Sequence, residues 1–416
     1  MTDTASKIGA ELIDPAFYGR FGPPHEQWTE LRRTAPVSLI EAAGYPPFWA
    51  ITKHADIFEV STRPDAFLNE PGIVLLPEAR ANRNTGSLSE MRTIIQMDPP
   101  EHRDYRKVAA PYFTPRSIQQ IEEATIESAR VIVDRLAGAS GEGECDLALD
   151  VAAAHPLRVL STILGVPRDQ EPLILKLTNE LFAADDDELR RPGDHEQAMM
   201  ELGGELYALF DRIITDRRAN PTNDLASIIA NGTVHGEPMG AMETFGYCLI
   251  AFTAGHDTTK NSLAGGLNAF IEHPDQLARL RAQPDLLATA VDEVVRWTTP
   301  VNYMMRTAAH DADVRGQKIT QGDPLVLFYA SANRDEDVFD DPFTFRIDRE
   351  NSRHLGFGIG EHFCMGAHLA RMSQRALFRE FANRLESIER TADPTWITSS
   401  FVVGYKHLPV RYKFAV

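Results

Sequence analysis

The sequence of 416 residues predicts a mainly α-helical fold of the α+β class, with small β-sheets. Helical periodicity dominates its middle and C-terminal half, and strand-like segments are confined to a few places. A stretch from 240 to 273 lacks proline, so it can form one helix long enough to cross a whole domain. The composition is that of an ordinary globular chain, without repeats or linkers, so we expect one domain over residues 1–416.

Two further segments have the spacing of amphipathic helices. In residues 117–138, apolar side chains recur every three or four positions and the segment ends at Gly138. Residues 285–300 have the same pattern and end at a proline, which disfavours a helical residue before it. We therefore expect the helical body to cover residues 95–300 and 364–388.

Strand signals cluster at 46–54 and 323–332, where Val, Ile, Phe, Tyr and Leu are frequent and turn residues lie on both sides. We expect the β-rich regions at 35–65, 300–330 and 390–416. Long segments with neither periodicity are predicted to be irregular, and such segments are often functional. They cover residues 69–90, 183–195 and 333–363.

Several classes of protein are excluded by composition. The N-terminus lacks the basic start and apolar run of a signal peptide, and no apolar stretch approaches a membrane span, so we expect a cytoplasmic protein without a membrane anchor. The formal charge of -18 argues against a nucleic-acid partner. Three widely separated cysteines fit neither a disulfide framework nor a zinc ribbon.

The centre of the long predicted helix reads "AGHDTT", with Asp257 and Thr258 following Gly255. One interpretation is an exposed turn in which the Thr hydroxyls bond back to carbonyls four residues earlier. The alternative is an opened helical turn at a functional site, with Thr258 donating to a ligand or water and Asp257 passing protons.

Glu293 and Arg296 lie three residues apart, so their side chains can pair on one helical face. Such a pair is usually a solvated surface bridge that contributes little to stability. If it is buried, a third residue must satisfy the remaining donors and acceptors.

The stretch "HLGFGIGEHFCMGAHLA" places Cys364 between closely spaced glycines and the first turn of a predicted helix. The amides of a helix N-terminus lower the pKa of a thiol, so we expect a thiolate that acts as nucleophile or metal ligand. The alternative is a small buried apolar side chain. A nucleophile needs a base, and His362 cannot be assumed to point at the sulfur.

A single thiolate ligand suits a metal whose other ligands come from elsewhere, and haem iron, held by four ring nitrogens, is such a metal. A haem also needs cations or donors for its two propionates. The sequence offers four candidates, two of them one helical turn apart: His102, Arg106, Arg306 and His362.

Taken together, these stretches resemble the cytochrome P450 family. Six residues fit its haem-binding pattern F-G-x-G-x-H/R-x-C-x-G: Phe357, Gly358, Gly360, His362, Cys364 and Gly366. "AGHDTT" resembles the family's oxygen-activating helix motif, and Glu293 with Arg296 fits its E-x-x-R pair. The segment "SANRDEDVF…DPFTFRIDR" resembles the region before the haem loop, which makes Arg349 the third partner of that pair.

The resemblance implies a triangular helical prism that holds haem b, with Cys364 as the axial metal ligand. Phe357, Gly358 and Gly366 would line the cofactor on the cysteine side. Thr258 would hold dioxygen and a water, and Asp257 would relay protons from solvent. The implied reaction uses O2 to insert one oxygen atom into a C–H bond, and the product is an alcohol plus water.

The resemblance is to the bacterial soluble type of the family, which receives electrons, ultimately from NAD(P)H, through a reductase and a 2Fe-2S ferredoxin. Such ferredoxins are usually acidic, so we expect a basic docking face on the cysteine side. The candidates are Lys107, Arg116 and Arg371. We expect a monomer.

Within the family, the quoted stretches are most similar to a bacterial member that hydroxylates α-terpineol. This suggests a small hydrophobic substrate, a monoterpenoid or an alkyl-substituted aromatic compound. The pocket residues implied by the resemblance are overwhelmingly apolar. They are Ile73, Val74, Leu75, Phe182, Ile250, Ala251, Ala254, Val301, Met304, Phe401 and Val402.

Three alternatives remain open from the sequence. The substrate could be a larger lipid, such as a fatty acid or a steroid side chain. The chain could also bind haem without hydroxylating anything, or it could be a hydrolase that uses Cys364 as its nucleophile.

Overall fold

The computed structural model describes residues 8–81, 93–350 and 352–415, and it confirms a mainly α-helical α+β fold. A helical segment at residues 8–11 comes first. The α-helices that follow, α1 to α16, are Pro15–Phe21, His25–Thr34, His54–Ser61, Glu78–Ala81, Glu101–Ala109, Pro115–Ile118, Glu122–Ala137, Ala154–Ile163, Glu171–Phe182, His195–Ala219, Leu225–Ala230, Ala241–Glu272, Pro274–Ala282, Leu287–Thr298, Tyr329–Ala332 and Ala367–Arg384. The strands, β1 to β14, are Val37–Ile40, Phe48–Ile51, Phe67–Leu68, Glu142–Asp146, Thr233–Val234, Glu237–Pro238, Tyr303–Ala308, Ala312–Val314, Gln317–Ile319, Pro324–Phe328, Leu385–Arg390, Thr395–Trp396, Tyr405–His407 and Pro409–Phe414.

The long helix α12 extends over 32 residues without interruption, as the proline-free stretch predicts. It begins after Gly240 and ends at Glu272, and His273 separates it from the proline that opens α13. Most of its side chains are buried, and α8, α10 and α14 pack along it. The "AGHDTT" motif therefore lies inside the molecule, so the interpretation of this stretch as an exposed turn is wrong.

The two amphipathic segments form helices with irregular first turns. Residues 117–138 begin within the short helix α6, pass through the 3₁₀ turn Gln119–Ile121 and continue as α7. Gly138 ends α7 with a φ of +49°, a left-handed conformation that glycine adopts without strain. The segment at 285–300 likewise begins within a 3₁₀ turn and becomes α14.

The main sheet contains five strands in the order β1, β2, β10, β7, β3. Strand β10 is parallel to β2 and antiparallel to β7, so the two strand-like segments at 46–54 and 323–332 lie side by side. Only the first half of the second segment is a strand, since its partners pair no further than Phe328. The remainder, Tyr329–Ala332, forms the short helix α15.

A second sheet has the order β11, β14, β4. Its strand Glu142–Asp146 comes from a region in which the sequence predicts only helix. The stretch "EGECD" lacks apolar alternation, so its pairing with the C-terminal strand left no local signal. The short hairpin of β5 and β6 also lies in that region.

The predicted irregular segments are mostly without regular structure. The segment at 183–195 joins α9 to α10, and the segment at 333–363 includes the 3₁₀ turn Gly360–His362. In the segment at 69–90, residues 78–81 form α4, and residues 82–90 lie outside the described residues.

Candidate active site

A cavity of about 260 Å³ lies between α12, the loop that carries Cys364 and the first residues of β7. Two other interior cavities measure about 10 Å³ each, which is space for no more than a water molecule. Unlike these two, the cavity of about 260 Å³ has room for a ligand. Its wall combines Cys364, Thr258 and all four predicted propionate partners with mainly apolar side chains.

The loop before α16 positions Cys364 at one wall of this cavity. The backbone N–H of Cys364 donates to the carbonyl of Phe357 at 2.9 Å, and its carbonyl accepts from Ala367 at 3.3 Å. Gly358 and Gly360 have φ values of +66° and +76°, which a residue with a side chain rarely adopts. A Cβ at Gly360 would also lie 2.4 Å from the carbonyl oxygen of Ser61.

The expectation that the helix terminus alone favours a thiolate is wrong. Burial raises the pKa of the Cys364 thiol above its ordinary value. The backbone N–H of Gly366 and the charges of Arg106 and Arg371 oppose this effect without outweighing it. Deprotonation of this thiol therefore needs a stronger positive charge, such as a bound metal ion.

His102 and His362 lie together at the edge of the cavity, with their ring centroids 4.0 Å apart. Neither His102 Nδ1 nor His362 Nε2 has a hydrogen-bond partner within the described part of the chain. Burial lowers the pKa of both imidazoles, to about 4 for His102 and about 2 for His362, and nearby positive charges lower it further. Both rings are therefore neutral at pH 7 in the absence of an anion.

Two arginines complete this group. Arg306, on β7, is buried, and its guanidinium donates to the carbonyl of Met305 at 2.8 Å. Arg106, on α5, donates to the carbonyl of Phe363 at 2.7 Å, next to the cysteine. All four predicted propionate partners line the same cavity, so two unpartnered imidazole nitrogens and two guanidinium groups surround one space.

On the opposite wall, α12 presents Thr258 to the cavity. The Thr258 hydroxyl donates to the carbonyl of Ala254 at 2.6 Å, which is the back-bonding expected of a threonine inside a helix. The helix is not opened at this turn, so that part of the functional interpretation is wrong. Asp257 is buried but lines a separate small pocket that also contains Lys260.

Glu293, Arg296 and Arg349 form a buried three-membered cluster. Arg296 donates to both Glu293 carboxylate oxygens, at 2.7 and 2.8 Å, and Arg349 donates to one of them at 3.0 Å. Backbone carbonyls of Asn333, Pro342 and Thr344 accept the remaining Arg296 N–H groups. The cluster therefore joins α14 to the segment before the cysteine loop. Because Glu293 and Arg296 are both buried, the interpretation of this pair as a solvated surface bridge is wrong.

The predicted pocket residues separate into two groups. Ile250, Ala251, Ala254, Val301 and Met304 line the large cavity. The others lie elsewhere: Ile73, Val74, Leu75, Phe182, Phe401 and Val402. Leu75 belongs to a core cluster beneath the main sheet, with Val74 and Phe401 packed against it, and Phe182 and Val402 border the small pocket.

A family model described as Cytochrome P450 matches residues 73–384, about three quarters of the chain. The chain belongs to the cytochrome P450 family. The large cavity of this P450 therefore lies where its family motifs, from "AGHDTT" to the cysteine loop, meet in space.

Relatives are similar over nearly the whole chain. Cytochrome P450-terp from a Pseudomonas species is 37% identical, covering 97% of this P450 and 94% of the relative. Linalool 8-monooxygenase from Pseudomonas putida is 35% identical, covering 96% and 98%. A steroid C26-monooxygenase from Rhodococcus jostii is 34% identical, covering 98% and 85%. The crystal structure of CYP108D1 from Novosphingobium aromaticivorans superposes with a TM-score of 0.91 at 37% identity, with full coverage of both chains.

Family membership implies a monooxygenase that uses haem, O2 and redox partners. The residues around the cavity fit that cofactor. A single thiol faces the cavity, and the unpartnered nitrogens of His102 and His362, with Arg306 and Arg106, can bind two carboxylates. Within the described ranges, no helix has the length and apolar character needed to span a membrane.

Sequence reasoning missed two kinds of residue. Ile94 and Ile95 line the cavity from the short 3₁₀ turn Ile94–Gln96, where no periodicity marks them. Lys260 pairs with Asp257, and its position three residues later in "DTTK" is a helical spacing that could have revealed the pair.

Proposed function

We infer that this P450 hydroxylates an alkyl carbon of a small hydrophobic molecule, a monoterpenoid or an alkyl-substituted aromatic compound. The apolar wall formed by Ile250, Ala251, Val301 and Met304 carries this inference, because it lies beside Thr258 in the cavity that Cys364 faces. Such a wall offers few hydrogen bonds, so it favours a hydrocarbon skeleton over a sugar or polar acid. The relative named Linalool 8-monooxygenase supports the terpenoid class.

The chain's own groups have separate tasks in this reaction. Haem, when bound, supplies the activation of O2 that thiolate ligation by Cys364 favours. Thr258 positions dioxygen and a water on the helix side of the cavity, because its hydroxyl lies at that wall. Asp257 takes protons from the solvent side and passes them toward Thr258. Apolar side chains exclude other water and hold the substrate.

The electrons would come from NAD(P)H through a reductase and a 2Fe-2S ferredoxin, with the P450 acting as a monomer. The proposed docking face contains Lys107, Arg116 and Arg371. Lys107 is exposed but pairs with Asp104, and Arg371 is mostly buried and pairs with Asp292 at 2.7 Å. Arg116 is exposed. Reversal of all three charges should slow electron transfer and flatten its salt dependence, and unchanged values would contradict the docking face.

The substrate class is tested by screening the haem-loaded protein for substrate-induced shifts of its Soret band. Monoterpenes and alkylbenzenes should give the tightest binding, and NADH consumption with a ferredoxin pair should yield their alkyl alcohols. A steroid or fatty acid that binds more tightly and is hydroxylated would overturn the substrate class. Absence of any alcohol across the whole screen would overturn the hydroxylase function in favour of a haem-binding protein.

The Cys364→Ala variant tests the assignment of Cys364 as the metal ligand. The parent should show the long-wavelength Soret band of a thiolate-ligated reduced carbon monoxide complex, and the variant should lose it. A variant that keeps this band would contradict Cys364 as the ligand.

The second candidate substrate is a larger lipid, such as a steroid side chain. The relative named steroid C26-monooxygenase favours it, because it is nearly as similar to this chain as the terpenoid relative. The same screen separates the two classes.

A further inference from the structure

Arg371 lies on the cysteine side of the site, but its charge is not free at the surface. The side chain is only 21% exposed, and its Nε donates to Asp292 Oδ1 at 2.7 Å. Arg371 belongs to α16, the helix that follows Cys364, whereas Asp292 belongs to α14. The ion pair therefore fixes the guanidinium between two helices, close to the loop that carries the cysteine.

The same guanidinium packs on the ring of Phe357. Its Cζ lies 4.5 Å from the ring centroid, which is within the range of a cation–π contact. Phe357 in turn contacts the cysteine, because its carbonyl accepts the backbone N–H of Cys364 at 2.9 Å. The positive charge of Arg371 is thus held against a residue that bonds directly to the cysteine.

His354 contacts both Phe357 and Asp292. Its ring centroid lies 5.6 Å from that of Phe357, and its Nε2 lies 3.6 Å from Asp292 Oδ1. Its Nδ1 accepts the backbone N–H of Gly356 at 3.2 Å, and its side chain is only 3% exposed. These contacts produce a closed cluster, the Phe357 clamp, in which each residue contacts two others. Its members are Asp292, Arg371, Phe357 and His354.

The charges of the Phe357 clamp act on the cysteine. Burial raises the pKa of the Cys364 thiol, and the charge of Arg371 is one of the effects that oppose this rise. Burial alone would also raise the pKa of Asp292, but its contacts with His354 and Arg371 hold it below its usual range. Asp292 is therefore a carboxylate at neutral pH. It keeps the guanidinium in place, and the guanidinium favours negative charge at the sulfur.

We propose that Arg371, a positioning residue held on the Phe357 ring by Asp292, raises the reduction potential of the haem iron that Cys364 ligates. The one electron that a redox partner supplies makes the iron and its thiolate more negative by one charge. A fixed cation nearby stabilises this reduced form more than the oxidised form. The proposal rests on the ligation of haem iron by Cys364. It is separate from docking, because it concerns the iron and not the partner.

The first test measures the midpoint potential of the haem-loaded full chain with a chemical reductant and no ferredoxin, so docking plays no part. Arg371→Gln removes the charge and keeps a donor for Asp292. At a fixed applied potential, the ratio of ferrous to ferric haem should fall about tenfold, which corresponds to a decrease of ~59 mV for one electron. Arg371→Lys keeps the charge, so it should recover most of this shift. An unchanged potential in Arg371→Gln would overturn the proposal.

Arg379→Gln is the matched control, because Arg379 is an exposed arginine on the same helix, about two turns farther from the cysteine. It makes the same change in net charge and should leave the potential unchanged. An equal decrease in both variants would indicate an effect of net charge and would contradict a specific role of Arg371.

A double variant separates the effect of Arg371 from simple neutralisation of Asp292. In Arg371→Gln, the Asp292 carboxylate remains without its cation and itself opposes reduction. Arg371→Gln combined with Asp292→Asn removes both charges, and its potential should remain below that of the parent. A double variant with the potential of the parent would mean that Arg371 only neutralises Asp292, which contradicts the proposal.

The reduced carbon monoxide complex separates this proposal from the ligand assignment on which it rests. The long-wavelength Soret band should persist in every Arg371 variant, whereas Cys364→Ala should lose it. Loss of the band in Arg371→Gln would contradict tuning of the potential, because the cation would then be needed for ligation itself. If Cys364→Ala keeps the band, the ligand assignment is wrong and the proposal fails with it. Arg371→Met serves if Arg371→Gln does not fold, with the same expected results.

Discussion

The imidazole rings of His102 and His362 lie with their centroids 4.0 Å apart and their planes tilted by 34°. One ring comes from α5 and the other from the 3₁₀ turn before the cysteine, so the pair joins two distant parts of the chain at the cavity edge. Because each ring keeps an unpartnered nitrogen, the pair is built as a donor site for an anion.

We predict that His102→Phe and Arg306→Leu both weaken haem retention. Each removes one charge-assisted hydrogen bond to a propionate, which contributes about 1.5–3 kcal/mol. The affinity for haem should therefore fall roughly ten- to hundredfold, measured by transfer of haem to an acceptor protein.

His102→Phe preserves the ring, so it separates hydrogen bonding from stacking. Arg103→Leu is the matched control, because Arg103 is the next residue on α5, is exposed and pairs with Glu361. Equal haem loss from all three variants would indicate general destabilisation and would contradict the propionate assignment.

The local part of this site could be predicted from the sequence. The glycines around Cys364 and the absence of proline in α12 are signals carried by neighbouring residues, so both the loop and the helix were expected. Contacts between distant segments leave no such signal. Arg349 lies 56 positions from Glu293, and only the family resemblance suggested that the two residues pair. Nothing in the sequence indicated that His102 contacts His362.

The direction of side chains also escaped prediction. Val74 and Phe401 are apolar and lie near the main sheet, but they pack into its core rather than the cavity wall. Asp257 was expected to serve the cavity, yet its contact with Lys260 turns it to the other side of α12. Such choices depend on packing from several elements at once, which a local pattern does not contain.

We predict that Thr258→Ala uncouples electron use from product formation. Without its hydroxyl, the cavity loses the group that positions dioxygen and water, so hydrogen peroxide should increase and alcohol per NADH should fall severalfold. Thr253→Ala is the control, because Thr253 is buried on the same helix and makes the same bond to a carbonyl four residues earlier. Coupling equal to that of the parent in Thr258→Ala would contradict the role.

We predict that Glu293→Gln destabilises the fold strongly. The substitution leaves Arg296 and Arg349 as buried cations without their carboxylate, and breaking a buried ion pair costs about 3–5 kcal/mol. Denaturant unfolding should measure this loss. Glu30→Gln removes a surface carboxylate from an analogous i, i+3 pair and should change the free energy of unfolding by less than about 1 kcal/mol. Similar effects from both variants would contradict the structural role of the cluster.

We predict that His407 makes stability decrease as pH rises above neutrality. Burial disfavours its charged form, but hydrogen bonds to Asp146 at 2.7 Å and Glu188 at 2.9 Å outweigh this, so the pKa of His407 is raised. A raised pKa means that the folded state binds the proton more tightly than the unfolded state. The stabilisation is therefore complete below the ordinary pKa of histidine and is lost as pH rises through the raised value.

His407→Gln isolates this contribution, because other titrating groups are common to both proteins. The thermal midpoint of the parent should exceed that of the variant in mildly acidic solution, and the difference should shrink toward alkaline pH. A difference that is constant across this range would contradict the ion pairs.

The cavity wall can be tested against the pocket that the sequence alone predicted. Ala251 lines the cavity, whereas Val74 packs against the core beneath the main sheet. Ala251→Leu should fill part of the space, so it should weaken binding of a monoterpenoid and reduce the amplitude of its Soret shift. Val74→Ala should leave the dissociation constant unchanged, although thermal stability should fall slightly because partly buried methyl groups that pack against the core are lost. Weaker binding in Val74→Ala without a change in Ala251→Leu would place the substrate outside the cavity described for this P450.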